Sequence, residues 1–175
     1  MIGDADLRRL TAGRWLLHLM ALVGERQGAR FAEMLSLGLS RSMLTASLAQ
    51  LIEVGWLRRN PGHGHPLRPE YVLTDAGRTI AAVAARVAAA RQALDLPPDL
   101  LSRWALPAVR RLAEGPARFS ALRAALAPVT PRALSLALKQ MQAAGLIDRA
   151  LEESYPPVAI YALTERGSLL ARAMR

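Results

Sequence analysis

The chain has 175 residues, an apolar share of 52% and a net charge of +9. That apolar content can build a core and excludes global disorder, while no apolar run reaches the ~18–20 residues of a membrane helix. The absence of cysteine excludes disulfides, thiolate redox switches and cysteine-ligated metals.

The opening MIGDADLRRL carries acids where a signal peptide needs basic and then apolar residues, so a soluble, cytoplasmic protein is expected. Lys139 is the only lysine among 23 basic residues, an arginine and alanine bias that points to a GC-rich bacterial genome. Residues 1–90 hold 11 basic and 7 acidic side chains (net +4), and 91–175 hold 12 and 7 (net +5). Both halves therefore favour polyanionic partners through counterion release.

In chain order, Trp15, Leu16, Leu19, Met20 and Val23 lie at helical spacing and predict a first amphipathic helix. Gly24 and Gly28 bracket a turn, and Phe31, Met34 and Leu35 make a short second helix. Ser40 is an N-cap for a third helix whose Leu44, Leu48 and Leu51 share one side. Gly55 suits the left-handed residue after its last turn. WLRRN (56–60) and EYVLT (70–74) surround PGHGHPLRP and read as a hairpin with a long loop. Thr74 then caps a closing helix, with Asp75 near the positive end of its dipole. Within 76–96, Ile80, Val83, Val87, Ala90 and Leu94 step by 3, 4, 3 and 4, a stripe that should pack against another helix.

The same order then returns. EYVLTDAG at 70–77 is echoed by IYALTERG at 160–167. Trp15, Arg30, Phe31, Leu44, Leu48 and Gly55 reappear as Trp104, Arg118, Phe119, Leu134, Leu138 and Gly145, the offset settling from 89 and 88 to a steady 90. In the second copy Thr130 caps the third helix and Pro131 takes its first position, where a missing N–H costs nothing. LIDRAL and AIYALT surround EESYPP as a second hairpin. So ordered a series is a tandem duplication. The expected fold is mainly α with small β-hairpins: two tandem winged helix-turn-helix domains, at 1–90 and 91–175.

GRW at 13–15, GPARFSALRAAL at 115–126, TPRALSLALKQMQAAGLIDR at 130–149 and YALTERG at 161–167 resemble the core of the HxlR-type winged helix-turn-helix transcription regulators of bacteria. The resemblance covers nearly the whole chain, once per repeat. It implies a regulator that binds double-stranded DNA, with dimerising terminal helices and an arginine just before the returning wing strand, which Arg68 matches. Oxidant-sensing members use a cysteine near the start, which this chain lacks. The second wing has PPVAIY where the first has Arg68, and Glu152 and Glu153 there should repel phosphate.

The N-terminal part of a recognition helix meets base edges in the major groove. With the leucines turned inward, Arg41, Ser42 and Thr45 face outward in the first repeat, and Arg132, Ser135 and Lys139 in the second. Arginine suits guanine, whose O6 and N7 accept its two donors; serine and threonine are less selective. Arg30 and Arg118 precede the second helix of each repeat, and Arg59 and Arg68 lie on the first wing, where all four can meet phosphate. The plain alternative for all of these is a solvated surface, or for the wing arginines a pairing with Glu53 or Glu70.

His63 and His65 lack a third ligand at a recognised spacing and read as loop residues. Trp15, Trp56, Trp104, Phe31 and Phe119 have the spacing of core residues rather than base-stacking ones. No nucleophile elbow, phosphate-cradling loop or carboxylate pair suggests an enzyme, and no cofactor is called for. The expected function is a sequence-specific regulator acting as an intrachain pseudo-dimer on a pseudo-palindromic operator. The Ala-rich stripe is expected to pack either on the first helix of the partner repeat or, in a homodimer, on its counterpart in a second chain, and a small-molecule effector is not legible. The rival reading is a protein-interaction module, favoured by the acidic second wing and by the apolar Leu136 near the outward face of its helix.

Overall fold

The computed structural model describes residues 2–60, 70–97, 100–101, 103–152 and 157–175. The chain forms two compact units, one built on residues 15–88 and the other on residues 3–14 and 89–175. Helix α1 (Asp4–Leu10) therefore belongs to the second unit.

The first unit runs α2 (Leu16–Arg26), β1 (Ala29–Arg30), α3 (Phe31–Met34) with a 3-10 turn at Leu35–Leu37, α4 (Arg41–Glu53), β2 (Leu57–Asn60), β3 (Glu70–Leu73) and α5 (Asp75–Ala93). The division between units falls within α5, after Ala88. Leu44, Leu48 and Leu51 of α4 are buried, as their spacing requires, and so are Leu19, Met20, Val23 and Met34. The hairpin is joined by a third strand, giving an antiparallel sheet in the order β1-β3-β2, with Ala29 and Arg59 both opposite Tyr71. A two-residue strand is too short to show a period of two, so sequence patterning could not reveal β1.

The second unit repeats this plan with α6 (Ala105–Leu112), β4 (Ala117–Arg118), α7 (Phe119–Ala125), α8 (Pro131–Ala143), β5 (Ile147–Glu152), β6 (Val158–Leu163) and α9 (Glu165–Ala173). Its sheet order is β4-β6-β5. Here α1 packs on α6: Leu7 and Leu10 are fully buried, the Asp4 carboxylate accepts from Arg110, and the Arg8 guanidinium lies 5.3 Å from the Trp104 ring centroid. Cation–π contact and leucine burial both bind the N-terminal helix to this unit.

The recurring threonine and glycine explain how each recognition helix is held to its wing. After α4, Gly55 takes φ +76°. Its N–H donates to the Ile52 carbonyl at 2.9 Å while that of Trp56 donates to Leu51 at 3.0 Å, a Schellman cap. Gly145 ends α8 identically, at φ +67°. Thr74 then spans the junction. Its hydroxyl donates to the Gly55 carbonyl at 2.6 Å and accepts from the Gly77 N–H at 3.0 Å, while its own N–H donates to Trp56 at 3.1 Å. Thr164 repeats these bonds with Gly145, Gly167 and Leu146 at 2.7, 3.1 and 3.1 Å. One side chain thus joins the end of the recognition helix, the returning strand and the start of the closing helix. Gly77 and Gly167 let that junction close, because a Cβ on either would overlap the carbonyl oxygen of Trp56 or Leu146.

Of the five aromatic residues expected in the core only Trp56 is buried; Trp15, Trp104, Phe31 and Phe119 are half-buried. Each of those four lies beside a turn or at a helix start, where periodicity predicts direction but not depth. On α5, Ile80, Val83, Val87 and nearby Leu94 are buried and Ala90 half-buried. Among the described residues no helix is long and apolar enough to cross a membrane.

Candidate nucleic-acid interface

Each recognition helix starts from a side-chain cap that fixes its first turn. Ser40 Oγ accepts from the Met43 N–H and Thr130 Oγ1 from the Ala133 N–H, both at 3.2 Å. Arg41 is the first residue of α4 and Arg132 the second of α8. Both are exposed, and neither has a side-chain hydrogen bond or ion pair among the described residues. The same holds for Lys139 on α8, Arg59 on β2 and Arg30 ahead of α3. Five of the expected cations are therefore available to an external anion.

The hydroxyls differ. Thr45 donates to the Arg41 carbonyl at 2.9 Å, so its proton is spent within the helix and only its lone pairs face outward. Ser42 shares a hydrogen bond with the Ser40 cap at 3.0 Å. Ser135 is exposed and unengaged among the described residues. Opposite the buried leucines, 100° per residue puts Arg132, Leu136 and Lys139 on the outermost line of α8. On α4 that line holds Ser42, Ala46 and Ala49, whereas Thr45 and then Arg41 lie to one side of it, Arg41 on the border of the leucine face though exposed at the helix start.

The two units also differ at the start of the second helix. Arg118 donates to the Glu152 carboxylate at the end of β5. The expectation that Glu152 would simply repel phosphate misses this neighbour 34 residues away. The pair cancels one charge of each sign, so Arg118 is engaged where Arg30 is not. Glu53 and Glu70 form no ion pair with Arg58 or Arg59 among the described residues. Arg68, His63, His65 and Glu153 lie outside the described residues. Arg149 of β5 is a further exposed cation, opposite Tyr161 as Arg59 stands opposite Tyr71. The ninety-residue offset was the signal that could have found it.

Each unit thus carries a capped helix with an exposed basic start, tied through threonine to a hairpin that bears an exposed arginine. The sequence profile described as HxlR-like helix-turn-helix matches residues 10–93 and again 100–175. The uncharacterized HTH-type transcriptional regulator YvaP of Bacillus subtilis (strain 168) is 38% identical over 74 residues, covering 42% of this chain and 68% of that protein. An uncharacterized HTH-type transcriptional regulator of Methanothermobacter thermautotrophicus is 32% identical over 69 residues, covering 39% of this chain and 53% of its own length. The chain thus spans about half the length of the latter relative. Among solved structures, the reduced form of the transcriptional regulator YodB from B. subtilis shares 28% identity over 42% of this chain and 72% of that one, with a TM-score of 0.40. Since the family's profile covers both repeats and nearly all of the sequence, this chain belongs to the HxlR-like helix-turn-helix family and carries that helix-turn-helix fold twice.

Proposed function

We propose that the protein is a transcriptional regulator that reads double-stranded DNA with both of its units, as an intrachain pseudo-dimer on an imperfect inverted repeat. The observation that carries this reading is the pair of capped recognition helices whose basic side chains, Arg41 on one and Arg132 and Lys139 on the other, have no partner among the described residues. An arginine at the start of such a helix can present two donors to guanine. Arg30, Arg59 and Arg149 lie beside the helices, where phosphate contacts would set orientation. Ser42, Thr45 and Ser135 add short polar contacts, with Thr45 acting only as an acceptor. Arg68 would extend the first wing, and Arg118 would reach phosphate only on leaving Glu152. The family relation supports the reading, since relatives bear the name HTH-type transcriptional regulator. The duplication supplies in one chain the two heads that a dimer would otherwise bring together. A homodimer through α5 would have to use its exposed side, Ala82, Ala85, Arg86 and Ala89, because Ile80, Val83 and Val87 are already covered. The reading requires no metal, cofactor or catalysis.

Titration of duplex binding against salt tests it. Log K should fall linearly with log salt, with a slope of about 0.9 per phosphate neutralised, hence roughly 4–6 for the free cations of both heads. Flat, negligible binding to every duplex would instead favour a protein-interaction module, the reading that the exposed Leu136 and Leu151 support.

The Arg118–Glu152 pair gives a sharper expectation. Glu152→Gln should free Arg118, raise duplex affinity about three- to tenfold near 0.1 M salt and steepen the salt slope by about one. Fluorescence anisotropy on a single duplex at several salt concentrations measures both. An unchanged slope would mean that Arg118 does not reach phosphate.

A further inference from the structure

Leu136 is the feature of α8 that a cationic helix face does not explain. It is 57% exposed, on a helix whose other large apolar residues, Leu134, Leu138 and Met141, are all buried. It occupies the middle of the outermost line, one turn after Arg132 and one turn before Lys139. On α4 the position ninety residues earlier is Ala46, so only one of the two heads has a bulky apolar side chain at its most outward point.

An apolar side chain between two cations suits one place in duplex DNA. In the major groove the C5 methyl of thymine is the apolar group that a base edge offers, and it stands among acceptors that attract cations. Arg132 and Leu136 are four residues apart, about 6 Å along the helix axis, which corresponds to between one and two base-pair steps of about 3.4 Å. Protein-binding surfaces have a different composition, being depleted in lysine, whereas the chain's single lysine, Lys139, borders Leu136 here. We propose that Leu136 is a specificity-determining residue that contacts a thymine methyl, one to two base pairs from the base read by Arg132, in the half-site bound by the second unit only. The inference rests on the DNA-binding reading above. It makes the two half-sites unequal by chemistry: an Arg132-read base with a nearby thymine on one side, and no methyl requirement at the matching position on the other.

The test uses the full chain and the tightest duplex selected from a random pool. Each thymine is replaced singly by deoxyuridine, which removes the methyl and leaves every hydrogen-bonding group. One replacement, in one half-site, should weaken binding about three- to tenfold. Leu136→Ala should bind thymine and uracil at that position equally, while Leu136→Met keeps the preference. Because the side chain is exposed, both variants should unfold at the wild-type temperature. If salt-dependent duplex binding is present but no replacement matters, or if Leu136→Ala retains the thymine preference, the methyl contact is wrong and the DNA-binding reading survives. An unchanged preference would leave Leu136 to a protein partner. Absence of salt-dependent binding to any duplex would remove both.

Discussion

Gly77→Ala and Gly167→Ala are each expected to destabilise the unit that carries them by about 3 kcal/mol or more. Helix propensity alone gives the opposite sign, since alanine in place of a helical glycine gains about 1 kcal/mol. Packing decides, because the new methyl would overlap a backbone carbonyl, that of Trp56 in one unit and of Leu146 in the other. A backbone oxygen fixed by a hydrogen bond to Thr74 or Thr164 cannot swing away as a side chain would. The clash therefore opens the threonine junction, with its helix cap and its bond to the Schellman glycine. Chemical denaturation followed by amide hydrogen exchange should locate the loss for Gly77→Ala among residues 15–88 and for Gly167→Ala among 103–175. A gain in stability for either would show that the two chain segments do not meet so closely.

The second large effect belongs to binding. Arg132→Ala should cost about 1–3 kcal/mol with the best duplex and relax base preference at one position, and Arg41→Ala should do the same in the other half-site. The two arginines stand on separate helices with no shared partner, so the double variant should lose close to the sum, about 2–6 kcal/mol or roughly 30- to 10⁴-fold in affinity. Arg132→Lys separates charge from geometry. It keeps the cation but loses the planar fork, so it should retain salt dependence while losing base preference. Arg59→Ala should by contrast weaken all duplexes alike and reduce the salt slope by about one. Selection from a random pool, repeated with each variant, reads out every one of these outcomes. Unaltered base preference in Arg132→Ala would remove it from the reading surface.

How much of this was legible beforehand follows from what each signal depends on. The caps Ser40, Thr130, Thr74 and Thr164 and the helix-ending Gly55 and Gly145 were visible because they act within three or four residues. The buried leucines of α4 and α8 were visible because 3.6-residue periodicity encodes direction. The duplication made each element readable twice, and the family resemblance fell on the same residues. Features that depend on distant neighbours were not visible. Gly77 and Gly167 end the two echoed octapeptides, but nothing local says that Trp56 or Leu146 presses against them. The Arg118–Glu152 pair joins β4 to the far end of β5. Helix α1, with only Leu7 and Leu10 to mark its apolar side, gave no pattern of its own, and its association with residues 89–175 is a matter of packing. Thr45 is exposed, but its bond to the Arg41 carbonyl depends on a rotamer that sequence does not fix.

Hydroxyl-radical footprinting of the full chain on its tightest duplex tests the two-headed reading most directly. One chain per duplex should protect two segments about one helical turn apart, ~34–36 Å between centres. Arg41→Ala should fade one segment and Arg132→Ala the other. A single protected segment, or two chains required for each duplex, would contradict a pseudo-dimer contained in one polypeptide.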